Sequence, residues 1–271
     1  MVTQKIFLGP LESKLLFSLE ERGASVFSFK EAKQILRASN DSLKNVLYRL
    51  KKKRRLIEIK KGQYLFVPAR AGLEGHWAEH SFFVVSKVMR KDYYIGFWTA
   101  LNYLGMTEQI PTTVFVAITS RARDFEFGNQ QIKFVSLSKD RFFGFASEKT
   151  KTREFNISTK EKTIVDCLLL PQYCGGIAEA AKGIWNARKE IDWLQLLEFV
   201  EEVKVAAVKR RLGFILQELK IKKDIQKQLR KKAFVGFAWA DPSAQKEDFS
   251  YDKKWGLKVN VERKTLTAWM E

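Results

Sequence analysis

Cysteine and histidine are scarce in this chain, with two of each among 271 residues. Cys167 and Cys174 lack the C-x-x-C spacing of a zinc or redox site, so both are expected as reduced thiols in or near a core. His76 and His80 stand at i and i+4, a spacing that can put two imidazoles on one helix face, but neither a third ligand nor an H-E-x-x-H glutamate accompanies them. No metal is expected there. No run of about 20 apolar residues is present, and no signal-peptide core opens the sequence, so the expectation is a cytoplasmic protein with no membrane partner. Phosphate-binding P-loop and dinucleotide fingerprints are missing, as is the Gly-Ser turn ahead of an Asp-x-Asp pair that a nucleotidyltransferase needs. No cofactor is expected.

Acidic residues are also in short supply. Lys and Arg number 49 against 31 Asp and Glu, a net charge of +18. Residues 1–70 hold 16 basic and 6 acidic side chains, a net of +10, which leaves +8 for all the rest. An excess concentrated at one end implies a polyanionic partner, and nucleic acid fits better than a membrane because the charges lie on a patterned fold.

That pattern occupies residues 28–64. Ser28 and Glu31 form a capping box, predicting a helix from Phe29 to about Leu36. Arg37-Ala38-Ser39 interrupts the apolar period, and Ser39 or Asn40 can cap a second helix whose core side is Leu43, Val46, Leu47 and Leu50. At about 100° per residue, the opposite side presents Asp41, Lys44, Asn45, Tyr48 and Lys52, with Arg49 on its flank. Lys51-Lys52-Lys53-Arg54-Arg55 comes next. An alternating stretch from Leu56 to Val67 is then broken at Lys60-Lys61-Gly62-Gln63, where Gly62 supplies the positive φ of a tight hairpin. With a first helix over 10–22, this order is that of a winged helix-turn-helix. The expected DNA-contacting set is Ser39, Asn40, Lys44, Asn45, Tyr48, Arg49, Lys51, Lys52, Lys53, Arg54, Arg55, Lys60, Lys61 and Gln63. Lys44 and Asn45 are expected to read base edges, and Arg49, Lys51, Lys52, Lys60 and Lys61 to bind phosphate.

The remainder reads as a second, larger unit. Residues 68–75 are small, turn-rich and without period, a linker composition, which gives domains over 1–70 and 76–271. Helices are predicted at 77–91, 94–105, 159–170, 175–187, 192–203, 205–219 and 222–232. Strands are predicted at 112–119, 131–137, 142–146 and 152–157, with a final pair at 255–261 and 265–269. The fold class is therefore α+β, a winged helix-turn-helix followed by a mixed α/β domain.

Chemistry in that second unit is sparse. Asp124-x-Glu126 with Lys133 has the residue types of a Mg²⁺-dependent nuclease, and also those of a solvated loop. Gly175-Gly176 reads as a helix-start turn. Asp166 falls among apolar residues of a helix, so burial would demand a partner such as Arg153 or Lys182. Most of the tryptophans are expected in the core, and exposed aromatics near the C-terminus would be anchors for a protein partner.

Tyr94-Ile95-Gly96-Phe97-Trp98-Thr99-Ala100-Leu101 to Gly105 resembles a family signature. So do Pro111 to Thr119, Glu161 to Asp166 with Pro171 and Gly175-Gly176, Arg211-Leu212-Gly213-Phe214, and Trp255 to Asn260. Together they resemble the AbiEi-type antitoxins and their archaeal and bacterial transcriptional-regulator relatives. The resemblance implies an N-terminal winged helix that represses its own operon and a C-terminal domain that counters a nucleotidyltransferase-like toxin. It also implies operator contacts at Asn45, Arg49 and the Lys51 to Arg55 cluster. The expectation is thus a sequence-specific repressor of its own operator, without catalytic activity. The alternatives are a nuclease using Asp124, Glu126 and Lys133, or an RNA-binding or protein-interaction module.

Overall fold

Helix caps decide where the first elements begin. The computed structural model describes residues 7–68, 81–89, 92–127, 130–150, 153–230 and 234–270. The boundary at 70–76, most of the expected linker, and both histidines lie outside them. Helix α1 (Pro10–Glu21) starts on a proline whose missing N–H has no helical partner to lose, and Glu12 accepts from the Gly9 N–H at 2.7 Å. A short strand, β1 (Val26–Ser28), leads into α2 (Phe29–Leu36). There Ser28 and Glu31 exchange the two bonds of the expected capping box, at 3.2 and 2.6 Å. Ser39 caps α3 (Asn40–Lys52), accepting from the Ser42 N–H at 3.3 Å.

Strands β2 (Leu56–Lys60) and β3 (Gln63–Phe66) form an antiparallel hairpin that turns at Lys61-Gly62, with Gly62 at φ 74°. β1 adds to β3, giving the order β1-β3-β2. Successive strand side chains point to opposite faces, and here both faces are apolar. Phe27, Leu56, Tyr64 and Phe66 join the leucines of the three helices in one cluster. Ile59 and Leu65, with Val26 and Ile57 beside them, belong to the cluster of a second, larger sheet. The hairpin is buried on both sides.

The large sheet comprises β4 (Tyr93–Ile95), β5 (Thr113–Ile118), β6 (Phe125–Phe127), β7 (Gln130–Ser136), β8 (Phe145–Thr150) and β9 (Arg153–Ser158). Their order is β6-β7-β5-β4-β9-β8, with β5/β7 and β4/β9 parallel and the other pairs antiparallel. One face packs Val114, Val116, Ile132 and Ile157 against α4 (Ser81–Met89) and the N-terminal hairpin. The other face carries Tyr94, Phe115, Val135 and Leu137. The helix expected over 94–105 is shortened to α5 (Phe97–Tyr103), because residues 93–95 are taken by the sheet between β5 and β9. The strand expected at 142–146 begins later, at Phe145, after a left-handed Gly144 at φ 68°.

Helices α6 (Lys160–Leu169), α7 (Gly176–Ala187), α8 (Trp193–Glu202), α9 (Ala206–Glu218) and α10 (Lys223–Leu229) come next, close to their expected bounds. They share an apolar cluster with a small sheet built from β10 (Ala238–Trp239), β11 (Ser250–Asp252) and β12 (Leu257–Val259). The final strand expected at 265–269 does not form; residues 263–266 and 268–270 are 3₁₀ turns. β12 already lies between β10 and β11, so neither of its edges can accept that strand.

Candidate nucleic-acid interface

Helix α3 turns Leu43, Val46, Leu47 and Leu50 into the core. The same periodicity leaves Asn40, Asp41, Lys44, Asn45, Tyr48, Arg49 and Lys52 exposed, as expected from the spacing. Tyr48 is 55% exposed, and the Lys52 ammonium lies 5.3 Å from its ring centre, an i,i+4 contact. Lys44 pairs with Asp41 at 3.2 Å, with both side chains in water. Such a pair is weak and opens readily to a competing anion. Ser39 is exposed, but its hydroxyl is engaged as the helix cap. The exposed face is a row of amide, ammonium, guanidinium and phenol groups, the inventory that reads base edges and phosphates.

The basic run after α3 does not act as one cluster. The helix ends at Lys52, and Arg54 sits in the left-handed region at φ 53°, so the chain reverses and its cations diverge. Lys51 pairs with Glu58 of the hairpin at 2.6 Å. Lys53 reaches back to α1, bonding the Glu12 carboxylate at 2.6 Å and the Phe7 carbonyl at 2.7 Å. Arg55 is buried and donates to the Pro68 carbonyl at 3.5 Å. These geometries correct the expectation for Arg55, which is not at the surface, and assign Lys53 a structural bond. Glu12 is nearly fully buried, so Lys53→Met strands a carboxylate. It is expected to lower stability by about 1–3 kcal/mol in urea melts.

At the hairpin tip Lys61 is exposed and Gln63 half-buried; the Lys60 side chain lies outside the described residues. The turn is only two residues long, and the Phe29 N–H donates to the Gly62 carbonyl at 2.8 Å. The tip is thereby tied to the start of α2 and does not project as a long loop. Lys30, Lys33 and Arg37 of α2 and its C-terminal cap are exposed on the same N-terminal unit. Charge runs in the sequence do not reveal them, because they are interspersed with apolar residues.

Most of the other candidate groups are engaged in structure, while Glu126 is exposed on β6. Asp124 accepts from the Phe134 backbone N–H at 2.8 Å, and the Lys133 ammonium lies 5.4 Å from the Tyr173 ring centre. Among the described residues no three His, Cys, Asp or Glu side chains gather as metal ligands do. Asp166 is fully buried, as its apolar neighbours implied, and its partners are Lys162 and the Tyr94 hydroxyl; the Arg153 side chain lies outside the described residues. Lys182 instead pairs with Glu108. Burial pushes the Asp166 carboxyl up, against the pull of Lys162 and Tyr94. Burial, then the Asp166 charge, holds the Tyr94 phenol well above its usual range. Cys167 and Cys174 are both free and buried. At Gly175-Gly176 the Ile177 N–H donates to Asp241 at 2.8 Å, so the α7 N-terminus is occupied by the chain's own carboxylate.

These elements define a mixed α+β protein with several sheets. Residues 18–145 match the model of a family of unknown function, DUF6088. No curated protein matches the chain. Its fold is similar to the crystal structure of the RV2827C protein from Mycobacterium tuberculosis, at TM-score 0.68 and 11% identity, over 98% of this chain and 97% of that one. Among the described residues, no helix is long and apolar enough to cross a membrane.

Proposed function

We propose that the chain is a sequence-specific duplex-DNA-binding repressor that acts on its own operator, and that it serves as the antitoxin partner of a nucleotidyltransferase-like toxin. The observation that carries the DNA reading is the outward face of α3, where Lys44, Asn45, Tyr48, Arg49 and Lys52 are exposed together on a helix anchored by four buried apolar residues. Element order supports it. Helix, strand, two helices and a hairpin is the order of a winged helix-turn-helix, in which the second helix of the pair enters the major groove. The antitoxin role rests on the family resemblance alone.

In this reading Lys44 and Asn45 face bases, while Arg49, Lys52 and Lys61 neutralise phosphates. Fluorescence anisotropy of the full chain on duplex from directly upstream of its gene, against a shuffled duplex, should show a preference of about 10³-fold or more. Asn45→Ala should cost about 1–3 kcal/mol at one base pair, and Lys61→Ala should weaken all duplexes alike and lower the salt slope by about one. Equal binding to both duplexes would sink the operator reading.

A further inference from the structure

The small C-terminal sheet has one face in the core and the other in water, and the outer face is unusual. Trp239, Lys258 and Tyr251 are paired in register across β10, β12 and β11, so they project from the same side. Phe237 and Phe249 lie just ahead of β10 and β11, and their rings pack on those of Tyr251 and Trp239, which puts them on that side too. The opposite side holds Leu257 and Val259, both buried in the helical cluster.

Four aromatic rings thus form one contiguous outer patch. Phe237 and Tyr251 have ring centres 4.8 Å apart, Phe249 and Tyr251 5.3 Å, and Trp239 and Phe249 5.1 Å. Phe237, Phe249 and Tyr251 are 46%, 39% and 55% exposed, far more than a core role allows. The patch is held from beneath. Arg210 donates to the carbonyls of Val235, Gly236 and Gly256, and Arg211 to that of Trp239. These bonds brace the backbone from which the rings project.

Charge identifies the occupant. Lys258 lies 5.0 Å from the Trp239 ring centre and 5.3 Å from that of Phe249, with Lys246 6.0 Å from Trp239. Lys254, in the turn after β11, lies 5.8 Å from the ring centre of the buried Trp255 and lines a pocket of about 360 Å³ with Lys220, Lys223, Lys227 and Arg230; among the described residues no acidic side chain lines it. Residues 220–258 hold eleven basic and five acidic side chains, and two of those acids are buried, Asp241 capping α7 and Asp252 paired with Arg263. A protein interface of this aromatic content is depleted of lysine. Exposed π surfaces with lysine ammonium groups beside them are what single-stranded nucleic acid needs, rings for its bases and ammonium groups for its phosphates.

We infer that this outer face binds single-stranded nucleic acid, with bases stacked on Trp239, Phe249 and Tyr251 and phosphates met by Lys258 and Lys246. It is a second site, separate from α3. The test is anisotropy of the full-length protein on a labelled thymidine oligomer of about 12 nucleotides, within the usual span of such sites. An abasic strand of equal charge and a double-stranded operator fragment serve as further arms. Tyr251→Ala and Phe249→Ala, both surface changes checked for an unaltered melting temperature, should each weaken the thymidine strand by about tenfold and leave duplex binding unchanged. Asn45→Ala should leave the thymidine strand unaffected. The abasic strand should bind more weakly than thymidine. Equal binding of abasic and thymidine strands, or unchanged affinity in both aromatic variants, would overturn the inference. Failure of the parent chain to bind the thymidine strand at micromolar concentration would do the same and leave the face to a protein partner.

Discussion

Asp166→Ala is expected to destabilise the chain by about 3–5 kcal/mol, the range for removing one member of a buried ion pair. Lys162 and Asp166 lie one turn apart on α6, and both side chains are completely buried. Alanine would leave the Lys162 ammonium without its carboxylate, facing the rings of Tyr94 and Phe143, whose centres are 5.5 and 4.7 Å away. It would also deprive the Tyr94 hydroxyl of its acceptor, now at 2.8 Å. The control is the double change Lys162→Met with Asp166→Leu, which removes both charges and should recover most of the loss, since apolar replacement of a whole buried pair is often neutral. Urea melts of the three chains measure this. An Asp166→Ala protein as stable as its parent would mean that water reaches the pair.

Gly213→Ala should be nearly as damaging, and its sign is the informative part. In an exposed helix interior this change gains about 1 kcal/mol. In α9 the added methyl would stand 2.0 Å from Trp255 Cζ3 and 2.2 Å from Cη2. The indole cannot step aside easily. It is fully buried, its Nε1–H donates to Gln217 at 3.1 Å, and its backbone N–H donates to Asp252 at 2.9 Å. A loss of about 3 kcal/mol is expected, the upper part of the range for overpacked cores, and Trp255→Leu in the same chain should restore part of it. Stabilisation by Gly213→Ala would contradict the packing of α9 against the indole.

Both positions show what a sequence carries and what it leaves out. Asp166 among apolar neighbours signals a buried charge, because helical spacing is local information. Its partners are not legible in the same way. Tyr94 arrives from a strand seventy-two residues away, and Lys162, in the third position of a cap that prefers Glu or Gln, reads as a weak capping residue and not as an ion-pair partner. Helices with an apolar period and a side-chain cap, α2, α3, α6 and α8, can be read almost to their ends, and α7 and α9 follow from their apolar period alone. β4, β6, β10 and β11 are two or three residues long, too short for alternation to register. They exist because neighbouring strands offer them open edges.

The candidate interface divides along the same line. Exposure of Lys44, Asn45, Tyr48, Arg49 and Lys52 is a consequence of the leucine stripe of α3. The fates of Lys53 and Arg55 depend on a left-handed Arg54, a position usually signalled by glycine or asparagine and here carrying no signal. The outer aromatic face is legible only as tryptophans and phenylalanines near the C-terminus. Its coherence needs the register that pairs Trp239 and Tyr251 with the same lysine.

The two-sided burial of the N-terminal hairpin bears on how this protein can be dissected. A fragment cut after Pro68 would keep its helices and caps but bare Val26, Ile57, Ile59 and Leu65 as an apolar strip along paired strands, the kind of surface that draws sticky association. The N-terminal unit is not a detachable cassette. Its outer wall is also the inner wall of the large sheet's core.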